Sequence, residues 1–150
     1  MNKINNLVIG QGIGPAKFLM PKSEIIELFG KPDEESLETE DGEKLLTLFY
    51  DRMMTDFTFE EAEDGNFVLT SFLCSAPETT IDNKIKFGAS EEEFLKYAKS
   101  MKASEPEVQT EPGTGEKFLY YSDLGLMAVF TDGVLSAAQL EYWDEEEPDE

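Results

Sequence analysis

The run Lys117-Phe118-Leu119-Tyr120-Tyr121, followed by Gly125-Leu126-Met127-Ala128-Val129-Phe130-Thr131-Asp132-Gly133-Val134-Leu135, has a counterpart earlier in the chain. There Leu45-Leu46-Thr47-Leu48-Phe49-Tyr50 precedes Phe57-Thr58-Phe59 and then Gly65-Asn66-Phe67-Val68-Leu69. Leu48, Tyr50 and Phe59 stand 71 residues before Leu119, Tyr121 and Phe130, and Val68 and Leu69 stand 66 before Val134 and Leu135. Upstream, Ile25 and Leu28 stand 69 before Phe94 and Tyr97. The drift between offsets falls in loops, where a change of length costs little. These correspondences predict an α+β protein of two tandem helix-plus-antiparallel-sheet repeats, with the helices packed on one sheet face. The expected boundaries are 1–76 for the first repeat, 77–143 for the second and 144–150 for a disordered acidic tail. Neither half is large enough to be comfortably stable alone, so the two are expected to share a sheet or pack sheet to sheet. The opposite sheet face then becomes a broad surface with no deep pocket built in.

In chain order, Leu7 to Ile9 reads as a short strand and the glycines from Gly10 to Gly14 as a turn. The dinucleotide fingerprint needs a helix opening at its glycines, whereas Pro15 and Phe18-Leu19-Met20 read as loop then strand. Pro21 to Phe29 reads as a helix, with proline in its first turn, Gly30 as its left-handed cap and Pro32 as its stop. Residues 33–44 are acidic and polar and read as an exposed loop. Strands are expected at 45–50, 55–60 and 66–74, because Thr55, Phe57 and Phe59 alternate with Asp56 and Thr58. Glu60 to Asn66 hints at a calcium loop, but Ala62 occupies a ligand position and Ser71 stands where the closing glutamate should be, so Asp64-Gly65 reads as a hairpin turn. After a linker at 76–83, Lys84 to Phe87 reads as a strand. Ser90-Glu91-Glu92-Glu93 is a capping box that opens a helix to about Met101. Residues 103–115 read as loop, and 137–142 as the last strand.

Thirty-three acids face 12 bases, Arg52 is the only arginine, and the formal net charge is −21. Such a surface repels nucleic-acid phosphates and anionic membranes, and it speeds capture of a basic partner. Histidine is absent and Cys74 is alone. A near-neutral proton shuttle, an intrachain disulfide and a multi-thiolate zinc site are therefore excluded. Cys74, in Phe72-Leu73-Cys74, reads as a core thiol. No cofactor and no metal-ligand set is expected. No segment reaches the roughly 20 apolar residues of a membrane span, and the N-terminal apolar run is too short for a signal peptide, so a cytoplasmic protein is expected.

Glu24-Ile25-Ile26-Glu27-Leu28-Phe29-Gly30-Lys31-Pro32 resembles the helix ending Leu-Leu-Gly-x-Pro of the β-lactamase inhibitor protein and its SmpA/OmlA-like relatives. The tyrosine-bearing strand followed by an aromatic strand and a turn is also similar. The second copy lacks the Gly-x-Pro ending, and the single cysteine departs from the disulfide-bonded inhibitor. The resemblance implies a tandem-repeat fold that binds other proteins through its sheet face.

Taken together, these features predict a non-enzymatic, acidic protein-binding module, an inhibitor or immunity protein that blocks a basic enzyme or toxin. Tyr142 and Trp143, beside Asp144, Glu145, Glu146 and Glu147, are the first candidates for partner contact. Tyr120 and Tyr121 follow, although adjacent residues of one strand point to opposite faces and only one can look outward. The alternative is a structural or assembly protein, a homodimer through an exposed strand edge. Paired carboxylates for a glycosidase are uninformative in so acidic a chain.

Overall fold

Apolar residues alternate with polar ones over the long strand runs of this chain, and that period of two favours sheet over helix. The computed structural model describes residues 6–77 and 79–142, apart from the side chain of Glu40. It begins with three short strands, β1 (Asn6–Val8), β2 (Gly12–Ile13) and β3 (Ala16–Lys17), before helix α1 (Lys22–Phe29). A four-stranded meander follows: β4 (Glu34–Glu40), β5 (Glu43–Tyr50), β6 (Thr55–Glu61) and β7 (Phe67–Cys74). Strands β8 (Thr80–Ile81) and β9 (Ile85–Lys86) lead to helix α2 (Glu91–Ser100). A second meander closes the chain: β10 (Glu107–Glu111), β11 (Glu116–Tyr121), β12 (Leu126–Thr131) and β13 (Val134–Glu141).

The α+β expectation of two tandem helix-plus-sheet repeats is corrected by this arrangement. The protein is mostly β, with 50% strand against 16% helix, and has only two helices among the described residues. The meanders do not form separate helix-backed units. They merge into one antiparallel sheet of eight strands, β10-β11-β12-β13-β7-β6-β5-β4, joined where β13 lies against β7 with Ala138 opposite Cys74 and Leu140 opposite Phe72. The short strands form a second sheet, β3-β2-β1-β8-β9, in which β1 and β8 run parallel.

The expected loops at 33–44 and 103–115 contain the two outermost strands, β4 and β10. Neither shows alternation, because an edge strand of glutamates and threonines is wet on both faces, and charge there discourages sheet-to-sheet association. Pairing registers recur across the two meanders. Leu48 opposes Phe57 as Leu119 opposes Ala128, and Phe59 opposes Leu69 as Phe130 opposes Leu135. Both meanders carry a bulge, at Thr58/Phe59 and at Val129/Phe130, with Thr70 and Ser136 as the inserted residues. Each half carries one inserted residue, so the bulges cancel, and the fall in offset from 71 to 66 lies in the shorter β12–β13 turn.

One face of the eight-stranded sheet packs against a layer made of α1, α2 and the small sheet, and a single apolar cluster fills the space between. Tyr50, Phe57, Phe59, Phe72 and Leu69 supply its first-half side, and Leu119, Tyr121, Phe130 and Leu140 its second. Cys74 lies in this core, fully buried. The capping box forms: Ser90 Oγ accepts from the Glu93 N–H at 3.1 Å while Glu93 Oε1 accepts from the Ser90 N–H at 3.0 Å. Asp82 ties α2 to the small sheet, accepting from the Tyr97 hydroxyl at 2.6 Å and from the Ile9 N–H at 3.2 Å.

The hairpin of β2 and β3 is tight, with Gly12 opposite Lys17. A Cβ on Gly12, whose φ is +156°, would lie 2.0 Å from the Ala16 carbonyl oxygen and 2.9 Å from Lys17 Cα. Both obstacles are backbone and cannot swing aside. Gly12→Ala is expected to cost about 2–3 kcal/mol, as overpacking does in a closed site, read as a lower midpoint in urea. An unchanged midpoint would show that the hairpin is not as tight as described.

Candidate protein-binding face

The second face of the large sheet is covered by no element among the described residues. Its composition follows from register, since residues directly opposite one another on antiparallel strands share a face. One row crosses the whole sheet: Glu107, Tyr120, Met127, Gln139, Leu73, Asp56, Phe49 and Glu34. Beside it run Gln109, Phe118, Val129 and Ala137 on one flank, and Glu141, Ser71, Thr58, Thr47 and Ser36 on the other. Apolar side chains (Phe49, Leu73, Phe118, Met127 and Val129) are thus interspersed with Asp56 and Gln139, and Leu73 is 36% exposed.

The acids line both edges and sit among these side chains. Glu34, Glu38 and Glu43 mark one edge and Glu107, Glu111 and Glu116 the other, with Asp56, Glu60 and Glu141 between them. No lysine or arginine occupies this face at any described strand position. The two ion pairs among the described residues, Lys22–Glu35 at 2.9 Å and Lys117–Glu91 at 2.6 Å, involve side chains of the other face. Burial, and then the nearby Asp51, raise the Asp56 carboxyl above its ordinary range. Burial, followed by Glu141, raises the Tyr120 phenol, whose hydroxyl reaches Glu141 Oε1 at 3.5 Å. Gln139 Nε2 donates to Ser71 Oγ at 3.2 Å and to Glu141 Oε2 at 3.5 Å.

Of the residues singled out in the sequence, Tyr120 lies on this face and Tyr121 on the other. Tyr121 is 2% exposed, packed on Phe94 with ring centroids 6.0 Å apart. Tyr142 follows β13 at the rim, 38% exposed, with its ring 6.0 Å from Phe18 and its N–H bonded to the Thr70 carbonyl. Trp143, Asp144, Glu145, Glu146 and Glu147 lie outside the described residues. Phe49, Leu73, Phe118 and Met127 were not singled out. Each is the odd member of an alternating pair beside a core residue, a signal that becomes specific only once the inner face is known.

The Asp64 turn is a hairpin connection: Asp64 Oδ1 accepts from the Asn66 N–H at 3.0 Å, and that bond holds its carboxyl below the ordinary range. No group of three or more Cys, Asp or Glu that could hold a metal occurs among the described residues. No helix among them is long and apolar enough to cross a membrane.

No model of a protein family matches the chain, and no curated protein matches it either. Solved structures do. A structure described as the uncharacterized protein yfeY of Escherichia coli aligns over 93% of this chain and 99% of its own, with a TM-score of 0.50 and 10% identity. An extracellular protein of Bacillus anthracis containing a SCP domain aligns over 83% of this chain and 43% of its own, with a TM-score of 0.49 and 9% identity. A DUF4309 family protein of Bacillus subtilis aligns over 82% and 78%, with a TM-score of 0.44 and 16% identity. At such identities the likeness to the Escherichia coli protein is one of fold alone.

Proposed function

We propose that the chain is a non-catalytic binding module that presents the open face of its large sheet to a basic protein, in the manner of an inhibitor or immunity protein. The observation that carries this reading is the distribution of charge: nine carboxylates along both edges and among the apolar side chains of the face, with no base among them. Apolar anchors at the centre of a patch supply most binding energy, and a polar rim excludes water and sets specificity. Lysines and arginines on a partner would give Asp56 and Glu141 the counter-charge they lack, and the field of a strongly acidic protein would steer the encounter. A second copy of the chain fits this face poorly, since acid would meet acid, and edge-to-edge pairing through β4 or β10 would oppose glutamates.

The test is to isolate binders from native lysate and then to compare the protein with a Leu73→Lys/Met127→Lys variant. A stoichiometric basic partner is expected. Its affinity should fall about 30-fold or more in the variant, the equivalent of one hot spot of about 2 kcal/mol. Its association rate should also fall steeply as salt is raised. Recovery of only abundant basic proteins, or of a partner indifferent to both salt and the double substitution, would overturn the reading.

A further inference from the structure

The two halves fill the space between helix and sheet differently. In the first, Phe29 at the end of α1 stacks on Phe57, centroids 5.5 Å apart at 16°, and meets Tyr50 edge-on at 6.0 Å. The Tyr50 hydroxyl donates to the Gly30 carbonyl at 2.7 Å. By the shared registers, Tyr121 stands where Tyr50 does, Ala128 where Phe57 does and Ala98 where Phe29 does. Two rings have become two methyl groups. Phe94, in the place of Ile25, restores one ring, with centroids 6.0 Å from Tyr121 and 5.4 Å from Phe130. Ala128 is fully buried, whereas Ala98 and Tyr121, the counterparts of Phe29 and Tyr50, line an open cleft of about 620 Å³ together with Leu95, Ala103 and Pro106. Its size falls within the roughly 300–1,000 Å³ of ligand sites.

The hydroxyl at its inner wall is free. The Tyr121 hydroxyl makes no hydrogen bond among the described residues, yet no buried side-chain oxygen among them lacks a partner. The small exposed part of this side chain is therefore its hydroxyl, which opens to the cleft. Leu95, at the mouth, is 41% exposed. We propose that this cleft is a second binding site, which takes an aromatic side chain and the following residue's backbone carbonyl from a helix end of a partner protein, seated as Phe29 and Gly30 are seated in the first half. The first half supplies the precedent for both groups: a ring against the tyrosine, and a carbonyl on its hydroxyl. Lys96 and Lys99 share the rim with Glu91, Glu92 and Glu105, so charge does not select the occupant and the ring does. The cleft lies on the helix side of the sheet, opposite the acidic face, and stands or falls independently of it.

The probe is acetyl-Leu-Phe-Gly-Lys-Pro-amide, the sequence of residues 28–32, titrated into isotope-labelled protein and followed by amide and methyl chemical shifts. Saturable shifts are expected at Leu95, Ala98 and Ala103. The peptide with alanine for phenylalanine should leave those signals unmoved. Ala98→Phe, which installs the first half's own ring, should abolish the shifts. Tyr121→Phe, which removes only the hydroxyl, should weaken binding about three- to tenfold. Absence of shifts at millimolar peptide, equal shifts with the ring-free peptide, or shifts confined to Leu73 and Met127 would each overturn the proposal.

Discussion

Phe57→Ala is expected to remove about 3–5 kcal/mol of stability, the usual range for emptying a buried aromatic site. For a chain of this length that corresponds to a fall in Tm of roughly 10 °C. Phe57 is fully buried at the middle of the first meander. It stacks on Phe29, meets Tyr50 edge-on at 5.7 Å and lies 6.3 Å from Phe72, so its loss strips contacts from helix and sheet together. The second half tolerates alanine at the matching position, Ala128, and shows why: Phe94 reaches in from α2 where the first half has only Ile25. Ile25→Phe should therefore cost stability in the native background, where it overpacks, and recover about 1 kcal/mol in the Phe57→Ala background. Urea titrations of the four proteins close a double-mutant cycle. A single-substitution loss under about 1 kcal/mol, or an Ile25→Phe effect equal in both backgrounds, would show that the two halves are not packed on the same plan.

Much of this packing plan could be read in the chain. The constant offset of 71 between Leu48, Tyr50, Phe59 and Leu119, Tyr121, Phe130 reappears as identical cross-strand registers. Large buried residues at alternate positions leave a period that no loop imitates. The outer strands were illegible for the complementary reason. Glu34–Glu40 and Glu107–Glu111 have no inner face, so nothing in their pattern distinguishes a wet edge strand from an acidic loop. The fold class was lost at the same place. With β4 and β10 missing, each half looks like a helix on a three-stranded sheet, whereas four strands each, joined at β13 and β7, make one sheet that dominates the molecule. Tyr120 and Tyr121 could be split between faces by parity, but parity cannot say which face is inside. That is fixed by Tyr121 packing on Phe94, a contact across 27 residues. The cleft beside Ala98 was invisible, because an alanine reveals a void only when the ring it replaces is known.

Alkali should unfold this protein cooperatively, with stability level up to about pH 10 and falling between about pH 10 and 12. The chain has no histidine, so no imidazole titrates across the neutral range. Above it, phenols decide. Burial is the main force that raises the Tyr50 phenol from 10.0 to about 12, offset in part by Arg52 and reinforced by Asp33 and Glu35. Burial also raises Tyr97, where the hydrogen bond to Asp82 adds to it, and Tyr121, where Glu91 does. A phenol whose folded pKa lies above its unfolded value near 10 favours the folded state fully below that unfolded value. The advantage is lost as pH climbs towards the folded pKa, because the unfolded chain releases its protons first. Far-UV circular dichroism and tyrosinate absorbance should therefore change together. Tyr50→Phe separates the contributions: at neutral pH it should cost about 1 kcal/mol through the lost bond to the Gly30 carbonyl, while above pH 10 the gap between variant and native protein should narrow. Complete tyrosinate formation near pH 10 in a chain that keeps its native dichroism would refute the burial of these rings.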